Sequence, residues 1–100
     1  MGSKSKQAAA RLGDVDTGHD SYPPTAINKA SPNVMINGIP AARMGDELNC
    51  HHRGIRTIAE GAASVLINGK PAARVSDAIN CGGTINAGSA NVMIGDQPKI

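Results

Sequence analysis

The 100-residue sequence has no Phe, no Trp and a single Tyr, so the rings that fill most small cores are missing. A chain of this length without them buries a thin core and needs some additional staple. Charge is nearly balanced: ten Lys and Arg against eight Asp and Glu leave a formal net charge of +2. Only Lys4, Lys6 and Arg11 cluster near the N-terminus, without aromatic interleaving, which argues against a nucleic-acid partner. No hydrophobic run reaches the length of a membrane span. The start Met1-Gly2-Ser3-Lys4-Ser5-Lys6 is not followed by the apolar stretch of a secretory signal, so synthesis in the cytoplasm without Sec export is expected. That start superficially resembles a myristoylation signal, but a flexible tail over residues 1–7 is the better expectation, followed by one domain over 8–100. The two cysteines, Cys50 and Cys81, form no Cys-x-x-Cys pair, so local spacing alone carries little metal signal.

What the chain does have is a repeat. Pro40-Ala41-Ala42-Arg43 returns as Pro71-Ala72-Ala73-Arg74, each copy preceded by Ile-Asn-Gly and one further residue. A third copy is present in two pieces. Ser31-Pro32-Asn33-Val34-Met35-Ile36 matches Ser89-Ala90-Asn91-Val92-Met93-Ile94, with Ser64-Val65-Leu66-Ile67 as a shortened version between them. Ala9-Ala10-Arg11-Leu12-Gly13-Asp14 reads like Ala41-Ala42-Arg43-Met44-Gly45-Asp46. A unit whose first half lies at one end of the chain and whose second half lies at the other requires the two ends to sit side by side. Repeats of this kind bury their apolar faces against one another, so the prediction is a closed set of three with pseudo-threefold symmetry.

The units read as β-hairpins. Val34-Met35-Ile36, Val65-Leu66-Ile67 and Val92-Met93-Ile94 are short strand-forming runs, and Asn37-Gly38 and Asn68-Gly69 are strong type I′ turn signals. Pro-Ala-Ala-Arg is then the return strand, and Ile55, Ile58, Ile79 and Ile85 are expected to extend the sheet between hairpins. Residues 7–11 have helix-favouring composition, but the repeat places Ala9-Ala10-Arg11 in strand, and the repeat decides. Small Ala pairs suit a narrow axis where three hairpins meet. Each motif Arg has an Asp three residues on, Arg43 with Asp46 and Arg74 with Asp77, which reads equally as a weak surface pair or a structural clamp. Asp14, Asp46 and Asp77 each follow Gly or Ser at a turn, where a carboxylate ordinarily caps backbone.

Counting from each motif arginine gives the chemistry. His19 follows Arg11 by eight residues, His51 follows Arg43 by eight, and Cys81 follows Arg74 by seven. Threefold closure would bring these positions together, and Cys50-His51-His52 supplies a spare ligand for tetrahedral zinc. Alternation along an extended chain puts Cys50 and His52 on one face, which gives the set His19, Cys50, His52 and Cys81. The rival set is His19, His51, His52 and Cys81, with Cys50 a free thiol. Solvated histidines and a Cys50–Cys81 disulfide are the plain alternatives, but all five ligand-type residues fall in three equivalent loops and none falls elsewhere. A catalytic thiol finds no orienting partner.

These residues resemble the PAAR-repeat family, whose members sharpen the spikes of type VI secretion systems and related contractile phage tails. The resemblance covers the chain from about residue 8 to its end and rests on the doubled Pro-Ala-Ala-Arg, the preceding Val-x-Ile-Asn-Gly, the split third copy and the Cys81-Gly82-Gly83 loop. It implies an all-β fold, a small cone of short hairpins, that caps a trimeric β-helical spike protein with one chain per trimer. It also implies a metal near the vertex, zinc with iron as the alternative, and transient contact with a target membrane outside the cell. His19, His52 and Cys81 match the family's ligand loops best, and members with three His and one Cys favour adding His51. The expected partner face is the apolar set Val34, Ile36, Val65, Ile67, Val92 and Ile94. Relatives often carry toxin extensions; here both ends stop at the repeat, so no effector domain is expected, although effectors remain possible passengers. Two rival functions are a zinc hydrolase, which four protein ligands would leave without an open position, and a small zinc-binding adaptor or effector-carrying module, which would be expected to show a basic or aromatic face.

Overall fold

A computed structural model describes residues 6–18, 23–51 and 54–95. Among them no helix forms, and eight short strands follow one another: β1 Lys6–Ala8, β2 Met35–Ile36, β3 Ile39–Pro40, β4 Glu47–His51, β5 Gly54–Thr57, β6 Leu66–Ile67, β7 Lys70–Pro71 and β8 Met93–Gly95. They pair antiparallel as β2–β3, β4–β5, β6–β7 and β1–β8. The principal extents are 33 × 33 × 24 Å, the proportions of a squat cone.

The Asn-Gly turns behave as their sequence requires. Asn37 and Gly38 take φ of 57° and 76°, and Asn68 and Gly69 take 54° and 79°, the two positive values that a type I′ hairpin needs. In these hairpins Met35 faces Pro40 and Leu66 faces Pro71. The third hairpin has its two strands at opposite ends of the chain, and its register sets Ala8 opposite Met93 and Lys6 opposite Gly95. Pairing therefore reaches Lys6 and Gln7, inside the stretch expected to be a flexible tail over 1–7.

The three Ala-Ala-Arg segments meet in a closed set of hydrogen bonds. Ala10 N–H donates to the Ala73 carbonyl, Ala73 to Ala42, and Ala42 back to Ala10, each at 3.0 Å. Outside this triangle Leu12 donates to Pro40, Met44 to Pro71 and Val75 to Ala8, at 2.9, 2.8 and 2.9 Å. Successive side chains of an extended segment point to opposite faces, and the alanine pairs divide accordingly. Ala10, Ala42 and Ala73 pack with Ile27, Leu48, Ile58, Ile79 and Ile85 on one side. Ala9, Ala41 and Ala72 pack with Ala62, Ile36, Ile67 and Ile94 on the other. The six alanines are 0–1% exposed, so a larger side chain at any of them would push one segment out of the ring.

Each motif arginine clamps the turn that follows it. Arg43 donates from Nε to Asp46 Oδ2 at 2.9 Å and from Nη2 to Oδ1 at 2.8 Å, while its backbone N–H donates to Oδ2 at 2.7 Å. Arg74 and Asp77 repeat this at 3.0, 2.7 and 2.8 Å, and Arg11 and Asp14 at 3.0, 3.2 and 2.8 Å. The carboxylate thus caps backbone and fixes a guanidinium at once. Burial settles the choice between surface pair and clamp, since the Arg74 and Asp77 side chains are 2% and 0% exposed. The enclosed turn needs positive φ at its third residue: Gly13 and Gly45 take 89° and 94°, and Ser76 is held at 75° in the third copy.

Two of the three seams between hairpins carry a polar latch. Ser31 Oγ donates to Asn68 Oδ1 at 2.7 Å, and Ser89 Oγ to Asn37 Oδ1 at 2.6 Å. The seam between the second hairpin and the paired chain ends has Ala62 and Gly95 in those places.

Candidate metal centre

Three segments rise from the ring on the side of Ile27, Ile58 and Ile85: the stretch after Asp14, the β4–β5 hairpin, and the stretch from Ile79 to Ile85. Each is bridged to both others, Asp16 to Ile85, Leu48 to Ile27, and Ile58 to Ile79. Further backbone bonds tighten the roots, with Thr17 N–H donating to Thr84 at 2.8 Å, Asn49 to Ala26 at 2.9 Å and Asn80 to Thr57 at 2.9 Å. The segments that carry the five candidate ligands are therefore joined at their roots by backbone bonds in all three pairs.

Of those ligands, His19 and His52 lie outside the described residues. Cys50 and His51 end β4, where the register with β5 shifts between Leu48 and His51, and His51 pairs with Gly54 across the hairpin tip. Cys81 is exposed and free of any disulfide. It stands on a tight turn in which Gly82 N–H donates to Ile79 and Ile79 N–H to Gly83, both at 3.0 Å. Among the described residues no three His, Cys, Asp or Glu side chains form a cluster. The chemistry of the donors nonetheless suits a soft dication: sulfur and imidazole are what zinc prefers, and they sit on segments already bridged in all three pairs.

Beneath Cys81 lies a buried cation that the repeat did not announce. Arg56, on β5, is 1% exposed. Its Nη2 donates to Asp16 Oδ2 and to the Gly82 carbonyl, its Nη1 to Thr25 Oγ1, and its Nε to Cys81 Sγ at 2.9 Å. Asp16 is completed by the Thr25 backbone N–H at 2.8 Å. Burial pushes the Asp16 carboxyl up, but the bonds from Arg56 and Thr25 and the adjacent positive charge outweigh it and hold the carboxyl below the usual range. Burial likewise works against the guanidinium charge, and bonding to Asp16 and Cys81 prevails.

Room for Arg56 comes from its counterparts. Thr25, Arg56 and Gly83 each stand two residues before an isoleucine of the upper cluster, and Asp16, Leu48 and Ile79 each stand two after a clamp aspartate. A side chain on Gly83, at φ 85°, would begin 2.8 Å from the Gly18 carbonyl and 3.2 Å from Asp16 Oδ2. The sequence signal was available: one Arg and one Asp stand out in two sets whose other members are uncharged.

On the opposite side of the ring, the residues expected to meet a partner divide. Ile36, Ile67 and Ile94 are 9%, 8% and 7% exposed and spend their apolar surface inside the chain. Val34, Val65 and Val92 are half-buried against the same cluster. The side chains between them, Met35, Leu66 and Met93, are exposed at 51%, 61% and 51%, which the sequence reading did not single out.

Residues 17–87 match the family model described as the PAAR motif. A search of the curated proteins finds no match.

Proposed function

The chain belongs to the PAAR-motif family, the spike-tip proteins of contractile injection machines, and from that membership we propose that it is a metal-stabilised tip capping a trimeric β-helical spike. The observation that carries the reading is the closed triangle of bonds between Ala10, Ala73 and Ala42. One chain thereby offers nearly the same surface three times, which is what a single cap on a trimer needs. The pseudo-threefold relation, the one-to-three stoichiometry and the piercing role are parts of this proposal.

The partner face in this reading is the side of Val34, Val65 and Val92 together with their exposed neighbours Met35, Leu66 and Met93. A trimeric β-helix ends in unpaired strand edges, and an apolar cap removes that hazard. The opposite end is the vertex, where His19, His52 and Cys81, joined by His51 or Cys50, would hold zinc. Bound zinc would cross-link the three segments and convert binding free energy into folding free energy. That staple suits a protein whose upper cluster contains only aliphatic side chains.

Mixing the chain with its trimeric spike and imaging the complex tests the cap. One chain per three spike chains is expected, and Leu66→Asp or Val65→Asp is expected to abolish it, because an unpaired carboxylate buried in an apolar interface costs more than an unpaired amide or hydroxyl, which already costs about 2–7 kcal/mol. Three chains per trimer, or undiminished binding by both variants, would refute the geometry. Elemental analysis of protein purified without added metal is expected to give one zinc per chain; a Cys50–Cys81 disulfide with sub-stoichiometric metal would refute the vertex.

A further inference from the structure

Just below the ligand-bearing segments the three repeats stop doing the same thing. The counterpart positions hold Thr25, Arg56 and Gly83 on one strand level and Asp16, Leu48 and Ile79 on the other. A single guanidinium fills the space that three equivalent side chains would otherwise share. It touches all three segments: Asp16 and Thr25 in the first, its own β5 in the second, and Gly82 and Cys81 in the third. Its Nε–H donates to the Cys81 sulfur at 2.9 Å. A donor fixed this way points a sulfur lone pair, and outer partners of this kind orient metal ligands and tune their affinity.

Charge makes Asp16 the necessary companion. A bare guanidinium a few ångströms from a dication would repel it strongly in a water-poor environment. The Asp16 and Arg56 side chains are 0% and 2% exposed and in direct contact, so the two charges cancel where they stand. Resting on the metal-tip reading above, we propose that Arg56 is a positioning residue for the metal centre: its Nε–H sets where the Cys81 sulfur sits, and Asp16 removes the charge penalty that this donor would otherwise impose.

The probe is cobalt(II), whose thiolate charge-transfer band reports sulfur coordination, with zinc competition giving affinity. The double variant Arg56→Met with Asp16→Asn removes both charges together and leaves no unpaired ion in the core. It is expected to keep its far-ultraviolet circular dichroism, bind one cobalt at saturation, and lose about 10–100-fold in zinc affinity with a weakened or shifted charge-transfer band. Arg56→Lys, which keeps the charge and not the Nε donor, is expected to recover the affinity in part and the band not at all. A second measurement needs no substitution: in cadmium-113-loaded wild-type protein, the Arg56 Nε–H proton should show scalar coupling to the metal through the sulfur. Wild-type affinity and band in the double variant, or no such coupling, would overturn the role of Arg56 and leave the metal tip standing. A wild-type chain that binds no metal would overturn both.

Discussion

In the ring, the same Ala-Ala-Arg occupies all three repeats and the bonds between repeats run from backbone to backbone. One level toward the ligand loops, the counterparts are Thr25, Arg56 and Gly83, and the decisive bonds run between side chains. Backbone groups can be shared three ways without penalty, since every residue brings one donor and one acceptor. Charged side chains cannot: three guanidiniums at one level would repel, whereas one Arg, one hydroxyl and one empty position make a satisfied set. Repetition therefore survives where the main chain bonds one repeat to the next and is given up where one charged side chain must serve all three segments.

The comparison can be broken first at the clamps. Asp77→Ala leaves Arg74 without its carboxylate in a fully buried place and is expected to cost about 3–5 kcal/mol in urea unfolding. Because the side chains of Asp77, Asp46 and Asp14 are 0%, 4% and 11% exposed, the same substitution should cost progressively less in that order. Equal costs at all three would mean that burial does not set the strength of the clamps.

At the other level the losses should depend on one another. Arg56→Met and Asp16→Asn alone are each expected to destabilise the protein by about 3 kcal/mol, and the double variant by less than the sum. Additive losses in a double-mutant cycle would show that the pair does not act as a unit.

Acid sharpens the same contrast. The folded Asp16 carboxyl titrates below its ordinary value, so its contribution is complete above the usual carboxylate range and is lost as pH falls through the folded value. Denaturation midpoints of wild type and the double variant should converge as pH drops below that range; parallel curves would remove Asp16 from the acid response.

The smallest effect belongs to the one imperfect copy in the ring. Ser76 holds φ 75° where its counterparts are Gly13 and Gly45, so Ser76→Gly should raise stability by about 0.5–1 kcal/mol and the melting temperature with it. An unchanged or lower melting temperature would show that the serine side chain compensates its own strain.

How far the sequence could be read follows the same division. The hairpins, the Asn-Gly turns and the pairing of chain ends were legible because identical strings recur, and identical strings make identical backbone. Burial of the Arg–Asp clamps was not legible, since a pair three residues apart looks the same in water or in a core. The expected partner set held Val34 and Ile36 without Met35, because nothing in the strand's sequence says which face the chain keeps for itself. Arg56 and Asp16 escaped because they are 40 residues apart and belong to different repeats. The ligand set proposed from the motif offsets has only Cys81 as a described side chain.

The pairing of β1 with β8 also bears on the order in which the molecule can be made. Lys6 and Gly95 are partners across nearly the whole chain, and the entropy of closing so long a loop has to be met before that contact stabilises anything. The first and second hairpins close over two residues and can form while later residues are still being synthesised. Ala8, Ala9 and Ala10 are made before their partners Ala73 and β8, so the nascent protein carries an unclosed apolar edge until β8 has been synthesised.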